Sequence, residues 1–501
     1  MKNSNIAKLI SNYGSRLWSL VSVFIFVPFY IKILGVENYA VIGFYTLILG
    51  IISFADSGMS SAVIKEFSQD GHSPSYKYSI FRSIENLYLI VCVFIMTVLA
   101  FGSDFIAGKW LNSNTIEIGT LSYYISLIGI GTTLQLLSSL YFGALFGLGE
   151  QVKANFYQII WNIFRAGIVI PVLIFYKPTL EVYFLWQIGC NLLYLAVLRM
   201  GSISILKSLA PDLKRSFKKI PENILKYIGG MVFIAIISAV NIQADKIITS
   251  SIFSLKTFGY YNLASLISQI PVILGTPLVM FAFPLFSKFS SDQKNTDITF
   301  DKIAFLLSII IFPISFLIIF FPEEILKLWN GKNIESEMFA PLAGVTRLLI
   351  TGSVFLALQL PLFYILLSKG KTKYTIYQGV IQVVLGIPLL YFCAKTYGLG
   401  AVPFPWILIN FGSYVFLLFI VFKNFIKINF LYYFKRTFII PFFISLSISF
   451  LFYLLHKIIH VNIILYLALI GSISLLMNIV VDNILNKRYF KEYKHLYNFP
   501  R

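Results

Sequence analysis

About fourteen apolar segments, each long enough to cross a lipid bilayer, follow one another along this chain of 501 residues. A water-soluble fold of this size needs more polar surface than the sequence offers, because only 12% of the residues are charged and 58% are hydrophobic. Helices satisfy their own backbone hydrogen bonds in the hydrocarbon core, so the pattern predicts an all-α polytopic membrane protein. The segments are centred on Phe24, Leu49, Val91, Ile130, Ile168, Leu192, Ile237, Val272, Ile311, Leu356, Leu385, Phe411, Leu446 and Leu469.

The distribution of basic residues predicts which side of the membrane each connection faces. With the N-terminus placed in the cytoplasm, the cytoplasmic segments hold 28 Lys and Arg residues and the opposite side holds 8. Cytoplasmic loops are enriched in these residues, so both termini are expected in the cytoplasm. The net charge of +19 is then a consequence of topology and does not require a nucleic-acid partner.

Three pairs of short matches indicate an internal duplication. They join Tyr39 with Tyr261, Tyr157-Gln158 with Tyr377-Gln378, and Trp186 with Trp406, at offsets of 222, 220 and 220 residues. An offset of six spans preserves membrane orientation, and two parallel repeats are typical of transporters whose halves rock around a central site. We expect a six-helix bundle at 1–205, a cytoplasmic linker at 206–226, a second bundle at 227–425, and two additional helices with a basic tail at 426–501.

Ionisable residues inside the apolar segments are the candidates for function, because such residues are costly in lipid and mark pathways or buried pairs. The cations are Arg16, Arg165, Lys246 and Arg347, and the clear anions are Asp56 and Asp245. The surplus of positive charge predicts a cationic cavity suited to an anionic substrate such as a phosphate or pyrophosphate.

Structural alternatives exist for several of these residues. Arg16 and Arg347 lie near span ends, where a long side chain can snorkel to the surface. Asp56 can serve as a structural partner or coupling carboxylate, and Asp245 and Lys246, as helix neighbours, do not face each other. Glu85 is expected to pair with Arg82, three residues earlier.

Catalytic and cofactor chemistry has no support in the sequence. The four histidines lie in loops, near span ends or in the tail, the three cysteines fall inside apolar segments, and no nucleotide-binding P-loop is present. We therefore expect no enzyme activity, no cofactor and no metal site. Two prolines in one span, Pro271 and Pro277, suggest either a hinge or a packing kink.

Several short motifs resemble one known group of membrane proteins. The segments Leu34-Gly35-Val36-Glu37-Asn38-Tyr39-Ala40 and Asp56-Ser57-Gly58 are similar to the opening of polysaccharide exporters of the MOP superfamily. The same holds for Ala244-Asp245-Lys246-Ile247-Ile248 and Phe258-Gly259-Tyr260-Tyr261, and the turns Leu145–Gly149 and Tyr397–Ala401 also fit the group. Within the superfamily the chain most resembles Wzx-type flippases for O-antigen and related glycans.

This resemblance implies two six-helix bundles, two trailing helices and a location in the bacterial cytoplasmic membrane. It also implies alternating-access translocation of an undecaprenyl-pyrophosphate-linked oligosaccharide, with H⁺ or Na⁺ as a candidate coupling ion and a glycan polymerase and chain-length proteins as candidate partners. Two alternatives stay open at this point: a MATE-type cation or drug antiporter, and a membrane glycan polymerase.

Overall fold

The computed structural model describes the backbone of residues 2–68, 73–209, 222–289, 292–331, 333–456, 458 and 462–492. Across these residues the chain is helical and contains no β-strand, although an isolated bridge pairs Asn112 with Ser254. Twelve helical segments in this part of the chain are long and apolar enough to cross a membrane. The predicted fold class, an all-α multi-pass membrane protein, is therefore confirmed.

The first of two compact units comprises Met1–Asn262. Its helices are α1 (Lys2–Leu34), α2 (Val36–Ser68), α3 (Pro74–Phe101), α4 (Ser103–Phe105), α5 (Ile118–Gly147), α6 (Gln151–Asn162), α7 (Val169–Phe175), α8 (Leu180–Leu209), α9 (Glu222–Ile252) and the first part of α10 (Leu255–Ser268). The π-helical segments Ile106–Trp110 and Ile163–Ile168 follow α4 and α6. Helix α5 is central and packs against α2, α3 and α8, while α9 packs along α2.

The second unit comprises Leu263–Arg501. Its helices are α11 (Ile270–Lys288), α12 (Gln293–Phe320), α13 (Pro322–Asn330), α14 (Phe339–Leu358), α15 (Leu360–Ser368), α16 (Thr372–Tyr397), α17 (Pro403–Asn424), α18 (Phe430–Phe434), α19 (Ile440–His456) and α20 (Ile463–Glu492). Short 3₁₀ segments precede α14 and α17, and the π-helical segment Lys435–Ile439 joins α18 to α19. Helix α12 contacts α11, α14, α19 and α20, so it forms the centre of this unit.

The positions of the helices agree with the apolar segments predicted from the sequence, but a total of fourteen spans is not confirmed. Every predicted segment centre lies in a helix. Two of these helices, α1 and α9, are not among the twelve described segments that meet the length and hydropathy requirements. Among the described side chains of α1 the apolar stretch is Val21–Leu34, and the side chain of Ile237, the predicted centre of α9, lies outside the described residues.

Helix positions repeat with the period that the sequence matches predict. The starts of α2 and α10, Val36 and Leu255, lie 219 residues apart, and those of α3 and α12, Pro74 and Gln293, also lie 219 apart. The starts of α6 and α16 are separated by 221 residues and those of α8 and α17 by 223. The division at 1–205, 206–226, 227–425 and 426–501 stays a prediction.

Turn residues explain where several helices begin and end. Gly35 has φ +84° and ends α1, and Gly398 has φ +76° and ends α16; this left-handed region is open to glycine at little cost. Ser73 accepts a hydrogen bond from the Tyr76 amide and caps α3, which continues with Pro74. Asp292 caps α12, and its hydrogen bonds from the Asn295 backbone and side-chain amides hold the pKa of the Asp292 carboxyl below its usual range.

Gly259 sets the distance between α10 and the start of α2. A Cβ atom at this position would lie 2.8 Å from the Val36 carbonyl oxygen and 3.1 Å from the Ala40 Cβ. We expect Gly259→Ala to lower the free energy of unfolding by about 1–3 kcal/mol, because the obstacle is backbone that cannot rotate away. Thermal unfolding of the purified protein in detergent measures this effect.

The matched control is Gly189→Ala in α8, where an added Cβ meets no atom within 4 Å. Alanine has the higher helix propensity, so this variant should unfold at the same temperature as the parent protein or slightly above it. Equal destabilisation by the two substitutions would contradict the close-packing explanation for Gly259.

Candidate functional site

Arg165 lies in the π-helical segment Ile163–Ile168, between α6 and α7 of the first unit. Pro171 follows shortly afterwards in α7 and has no amide hydrogen to continue the regular helical ladder. A π-helical turn widens the helix and leaves backbone carbonyls without their usual partners. The local sequence therefore places a charged side chain next to exposed backbone acceptors inside a membrane-spanning segment.

Side chains of α1 and α8 satisfy these carbonyls. The Phe164 carbonyl accepts a bond from Trp186 Nε1 at 3.0 Å, that of Arg165 from Gln187 Nε2 at 3.1 Å, and that of Ala166 from Tyr30 Oη at 2.6 Å. Three bonds from two neighbouring helices hold the turn in place, because unsatisfied backbone groups are costly at membrane depth. The position of Arg165 is thus fixed by the first unit itself.

The Arg165 guanidinium lies over an aromatic stack. Its central carbon is 4.5 Å from the centre of the Trp161 ring, and Trp161 stacks on Tyr194 with ring centres 4.6 Å apart. Trp161 Nε1 donates to Asn191 Oδ1 at 3.1 Å, and Asn191 in turn donates to the Gly131 carbonyl at 3.0 Å. A cation over an indole face gains electrostatic stabilisation without being neutralised, so Arg165 keeps its charge available.

No carboxylate pairs with Arg165 among the described side chains. The side chain is half-buried, and its Nε atom is buried without a hydrogen-bond partner in the described part of the chain. The polar groups that interact electrostatically with the Arg165 guanidinium include the hydroxyls of Tyr30, Tyr45 and Tyr183. Five N–H donors in a planar fork, surrounded by neutral hydroxyls, form a site that can bind an oxyanion.

Asp245 and Lys246 are neighbours on α9. Tyr261 donates from its hydroxyl to Asp245 Oδ2 at 2.7 Å, and Asp245 Oδ1 is buried without a partner among the described residues. Lys246 is half-buried, and none of the described carboxylates forms an ion pair with it. Lys246 is therefore a second cation of the first unit that lacks a described anionic partner.

Asp56 lies in the apolar core of the first unit, where α2 meets α3 and α5. Its side chain accepts a hydrogen bond from Tyr88, and Ser139 and Cys92 are further groups that interact with it. No ion pair involving Asp56 occurs among the described side chains. A buried carboxylate surrounded by neutral donors is suited to a structural role and equally to binding a proton or small cation.

Two of the predicted cations have a different status. Arg347 lies on α14 in the second unit, and its Nε donates to the Ile319 carbonyl of α12 at 3.0 Å, which anchors it within that unit. The Arg16 side chain lies outside the described residues, although its backbone belongs to α1. Their assignment to a substrate site stays a prediction.

The second unit also contains a charged cluster that the sequence pattern missed. Arg436 donates through Nε and Nη2 to the two carboxylate oxygens of Asp482, at 2.8 and 3.0 Å, and through Nη1 to Asp301. The Arg436 side chain is 14% exposed, and those of Asp301 and Asp482 are each 12% exposed. The cluster joins α12, the π-helical segment before α19, and α20, so its geometry indicates a structural clamp.

A comparable cluster lies in the first unit. Arg82 forms an ion pair with Glu85, as predicted, and Glu85 also accepts a hydrogen bond from Tyr141. Arg199 on α8 lies 3.8 Å from the same carboxylate. In both clusters each described carboxylate is paired with at least one arginine. Arg165 and Lys246 differ from this pattern.

Comparisons with known proteins agree with these observations. The profile of a family described as "Polysaccharide biosynthesis protein" matches residues 31–336, more than half of the chain. The chain belongs to this family. The matched region contains Asp56, Arg165, Asp245 and Lys246, and a second profile, that of the MatE family, matches residues 290–392, which contain Arg347. The predicted membership in the polysaccharide exporters of the MOP superfamily is thereby confirmed.

Individual relatives cover most of the chain. A Shigella flexneri protein named "Putative O-antigen transporter" is 25% identical over 387 residues, which are 74% of this chain and 87% of the relative. The lipid II flippase MurJ in an inward closed conformation has a TM-score of 0.74 at 17% identity and covers 97% of this chain and 100% of its own. An inward-facing multidrug resistance MATE transporter of the MOP superfamily has a TM-score of 0.62 at 15% identity, with coverages of 81% and 92%.

Proposed function

We propose that this protein is a flippase that translocates undecaprenyl-pyrophosphate-linked oligosaccharide repeat units, such as those of O-antigen or capsule, across the bacterial cytoplasmic membrane. The observation that carries the proposal is Arg165, a half-buried guanidinium at membrane depth with no described carboxylate partner. The relationship to the Shigella flexneri protein supports a lipid-linked glycan as the substrate class.

In this proposal the pyrophosphate group is the anionic partner of Arg165 and Lys246, which no described carboxylate provides. An ionised pyrophosphate with several sugars faces a prohibitive desolvation cost in lipid, and fixed N–H donors replace part of its hydration. Arg165 binds the phosphate oxygens through its planar fork, and Lys246 supplies a second positive charge. In this proposal Arg16 contributes to binding on the cytoplasmic side, and Arg347 assists release towards the outer leaflet.

The proposed transport cycle requires no covalent chemistry. The glycan enters from the cytoplasm, the two six-helix bundles rock between inward-open and outward-open states, and the polyprenyl tail stays in lipid. Both termini face the cytoplasm in this proposal, which follows the predicted distribution of Lys and Arg. A glycan polymerase and chain-length proteins then act on the delivered repeat units.

The sidedness of lipid-linked glycan in cells lacking this protein tests the proposal. We expect undecaprenyl-linked single repeat units to accumulate on the cytoplasmic leaflet, and surface glycan to disappear until the gene is restored. Single repeat units that reach the outer leaflet unpolymerised would contradict the proposal and favour a polymerase. Normal glycan combined with new sensitivity to cationic dyes would favour the MATE-type antiporter.

We further propose that Asp56 couples transport to an H⁺ or Na⁺ gradient, with Asp245 as the alternative carboxylate. Asp56→Asn preserves the hydrogen bond with Tyr88 and removes only the titratable charge. We therefore expect the variant to insert normally and to bind substrate, while export no longer responds to collapse of the ion gradient. Transport in reconstituted vesicles, with and without an imposed pH or sodium gradient, measures this response.

Asp245→Asn is the matched control, because it also keeps a hydrogen-bonded tyrosine, Tyr261. Loss of gradient dependence in the Asp245 variant alone would move the coupling role to that residue. Unchanged gradient dependence in both variants would exclude a coupling role for either carboxylate.

A further inference from the structure

An elongated apolar groove runs between α16 and α17 in the second unit. It encloses about 340 Å³ and is lined on the α16 side by Ile381, Leu385 and Leu389, and on the α17 side by Leu408 and Gly412. The lining side chains are open to the outside: Leu385 is 65% exposed and Leu408 is 59% exposed. Both helices are long and apolar enough to cross a membrane, and an apolar surface on such a helix pair is suited to contact with hydrocarbon.

Glycines on the two helices have different surroundings. At Gly386 on α16 a Cβ atom would lie 2.2 Å from Ile409 Cδ1, so the Ile409 side chain of α17 packs directly on the backbone there. At Gly412 on α17, in contrast, an added Cβ would meet no atom within 4 Å. The groove is therefore open beside Gly412.

The polar residues in the wall are already paired. Gln382 Nε2 donates to Ser413 Oγ at 2.6 Å, and Gln378 Nε2 donates to Gln359 Oε1 at 2.9 Å. Because these bonds satisfy polar atoms within the wall, the groove offers its occupant mainly apolar contacts. A hydrocarbon chain is the ligand class that such a wall favours.

The position of the groove along the helices restricts which hydrocarbon chain it suits. Its lining extends from Gln378 to Leu389 on α16, which lie eleven positions or about 16 Å apart along the helix. Since α16 covers Thr372–Tyr397, the groove extends to both sides of the helix midpoint near Leu385. A phospholipid acyl chain occupies one half of the roughly 30 Å hydrocarbon core, whereas a long isoprenoid chain can cross the middle.

We infer that the groove between α16 and α17 binds the polyprenyl chain of the lipid carrier. This inference rests on the proposed function and deepens it, because it assigns a location to the part of the substrate that cannot enter a polar cavity. The chain lies along the groove, across the bilayer midplane, while the pyrophosphate and sugars are bound elsewhere. The contacts are apolar and not directional, so the chain can slide as its headgroup changes leaflet.

Photolabelling of the full-length protein in nanodiscs tests the inference. The probe is undecaprenyl phosphate with a diazirine on the isoprenoid chain, and the labelled peptides are identified by mass spectrometry. We expect labels on α16 and α17 near Leu385 and Gly412. Gly412→Phe fills the open channel and should lower this labelling by about tenfold, because it removes apolar contacts along the chain.

Val415→Phe is the matched control. It introduces the same aromatic side chain on the same helix, one turn away, at an exposed position that does not line the groove. This variant should be labelled like the parent protein. An added Cβ at Gly412 meets no atom within 4 Å, and elution of the Gly412→Phe variant in gel filtration checks that it is folded.

Competition in the unmodified protein provides a second test that needs no variant. Unlabelled undecaprenyl phosphate should displace the probe, and an excess of phosphatidylethanolamine should not. The inference would be overturned if Gly412→Phe were labelled as strongly as the parent protein. It would also be overturned if a diazirine phospholipid labelled the groove equally well and undecaprenyl phosphate did not displace that phospholipid. Glycan translocation is measured separately. Normal translocation without labelling of the groove would reject the groove as the binding site and leave the proposed flippase function intact. Absence of translocation would reject the flippase function itself.

Discussion

Arg165→Ala is expected to lower export of lipid-linked glycan by about 10²- to 10⁴-fold while the protein still inserts. In the proposed site, the substitution removes at least two charge-assisted hydrogen bonds to phosphate oxygens, each expected to contribute about 1.5–3 kcal/mol, and every 1.4 kcal/mol corresponds to a factor of ten. The backbone of the turn should persist, because Tyr30, Trp186 and Gln187 bind its carbonyls and not its side chain. Surface glycan and accumulated cytoplasmic-leaflet intermediate are the two quantities to measure.

Two further variants separate charge from geometry. Arg165→Lys keeps the positive charge but loses the planar fork and its packing on Trp161, so we expect export intermediate between the parent and the alanine variant. Arg199→Ala removes an arginine of the same unit whose side chain is 50% exposed and lies 3.8 Å from Glu85, and it should export normally. Normal export by Arg165→Ala would rule out Arg165 as the phosphate ligand.

The fold could be predicted in large part because a bilayer restricts the possible structures. Long apolar segments identify the helices, and the duplicated motifs identify the period of about 220 residues that the helix starts then follow. Glycine motifs such as Leu34-Gly35 and Tyr397-Gly398 correspond to helix ends where the backbone needs a positive φ. These features are local in sequence, so a single chain is sufficient to recognise them.

The surroundings of the charged residues could not be predicted in the same way. Hydropathy indicates that Arg165 lies at membrane depth, but not that Trp161 supports it or that a π-helical turn positions it. The cluster of Asp301, Arg436 and Asp482 is a stronger example. Along the chain, Arg436 is 135 residues from Asp301 and 46 residues from Asp482. Basic residues near 423–436 fit a cytoplasmic segment in the sequence, and only packing of α12 against α20 reveals the ion pairs.

That cluster leads to the largest expected effect on stability. Arg436→Ala should lower the free energy of unfolding by about 3–5 kcal/mol, because it removes the arginine that both carboxylates share. Asp301 Oδ1 is already without a partner among the described residues, and the variant also loses the packing of the guanidinium on the Phe305 ring at 4.6 Å. Unfolding monitored by intrinsic tryptophan fluorescence in detergent measures the loss.

Replacing the whole cluster distinguishes a requirement for charge from a requirement for contact. In the triple variant Arg436→Met, Asp301→Leu and Asp482→Leu, the arginine and both carboxylates are removed together, and apolar side chains of similar volume occupy the site. Such replacements are often neutral or stabilising by about 1–4 kcal/mol relative to the ion cluster, so most of the stability lost in Arg436→Ala should return. If the triple variant is as unstable as the single one, the clamp depends on the geometry of its hydrogen bonds. Recovery would instead mean that α19 and α20 need only a filled, uncharged contact with α12, and that the arginine specifies the arrangement without adding net stability.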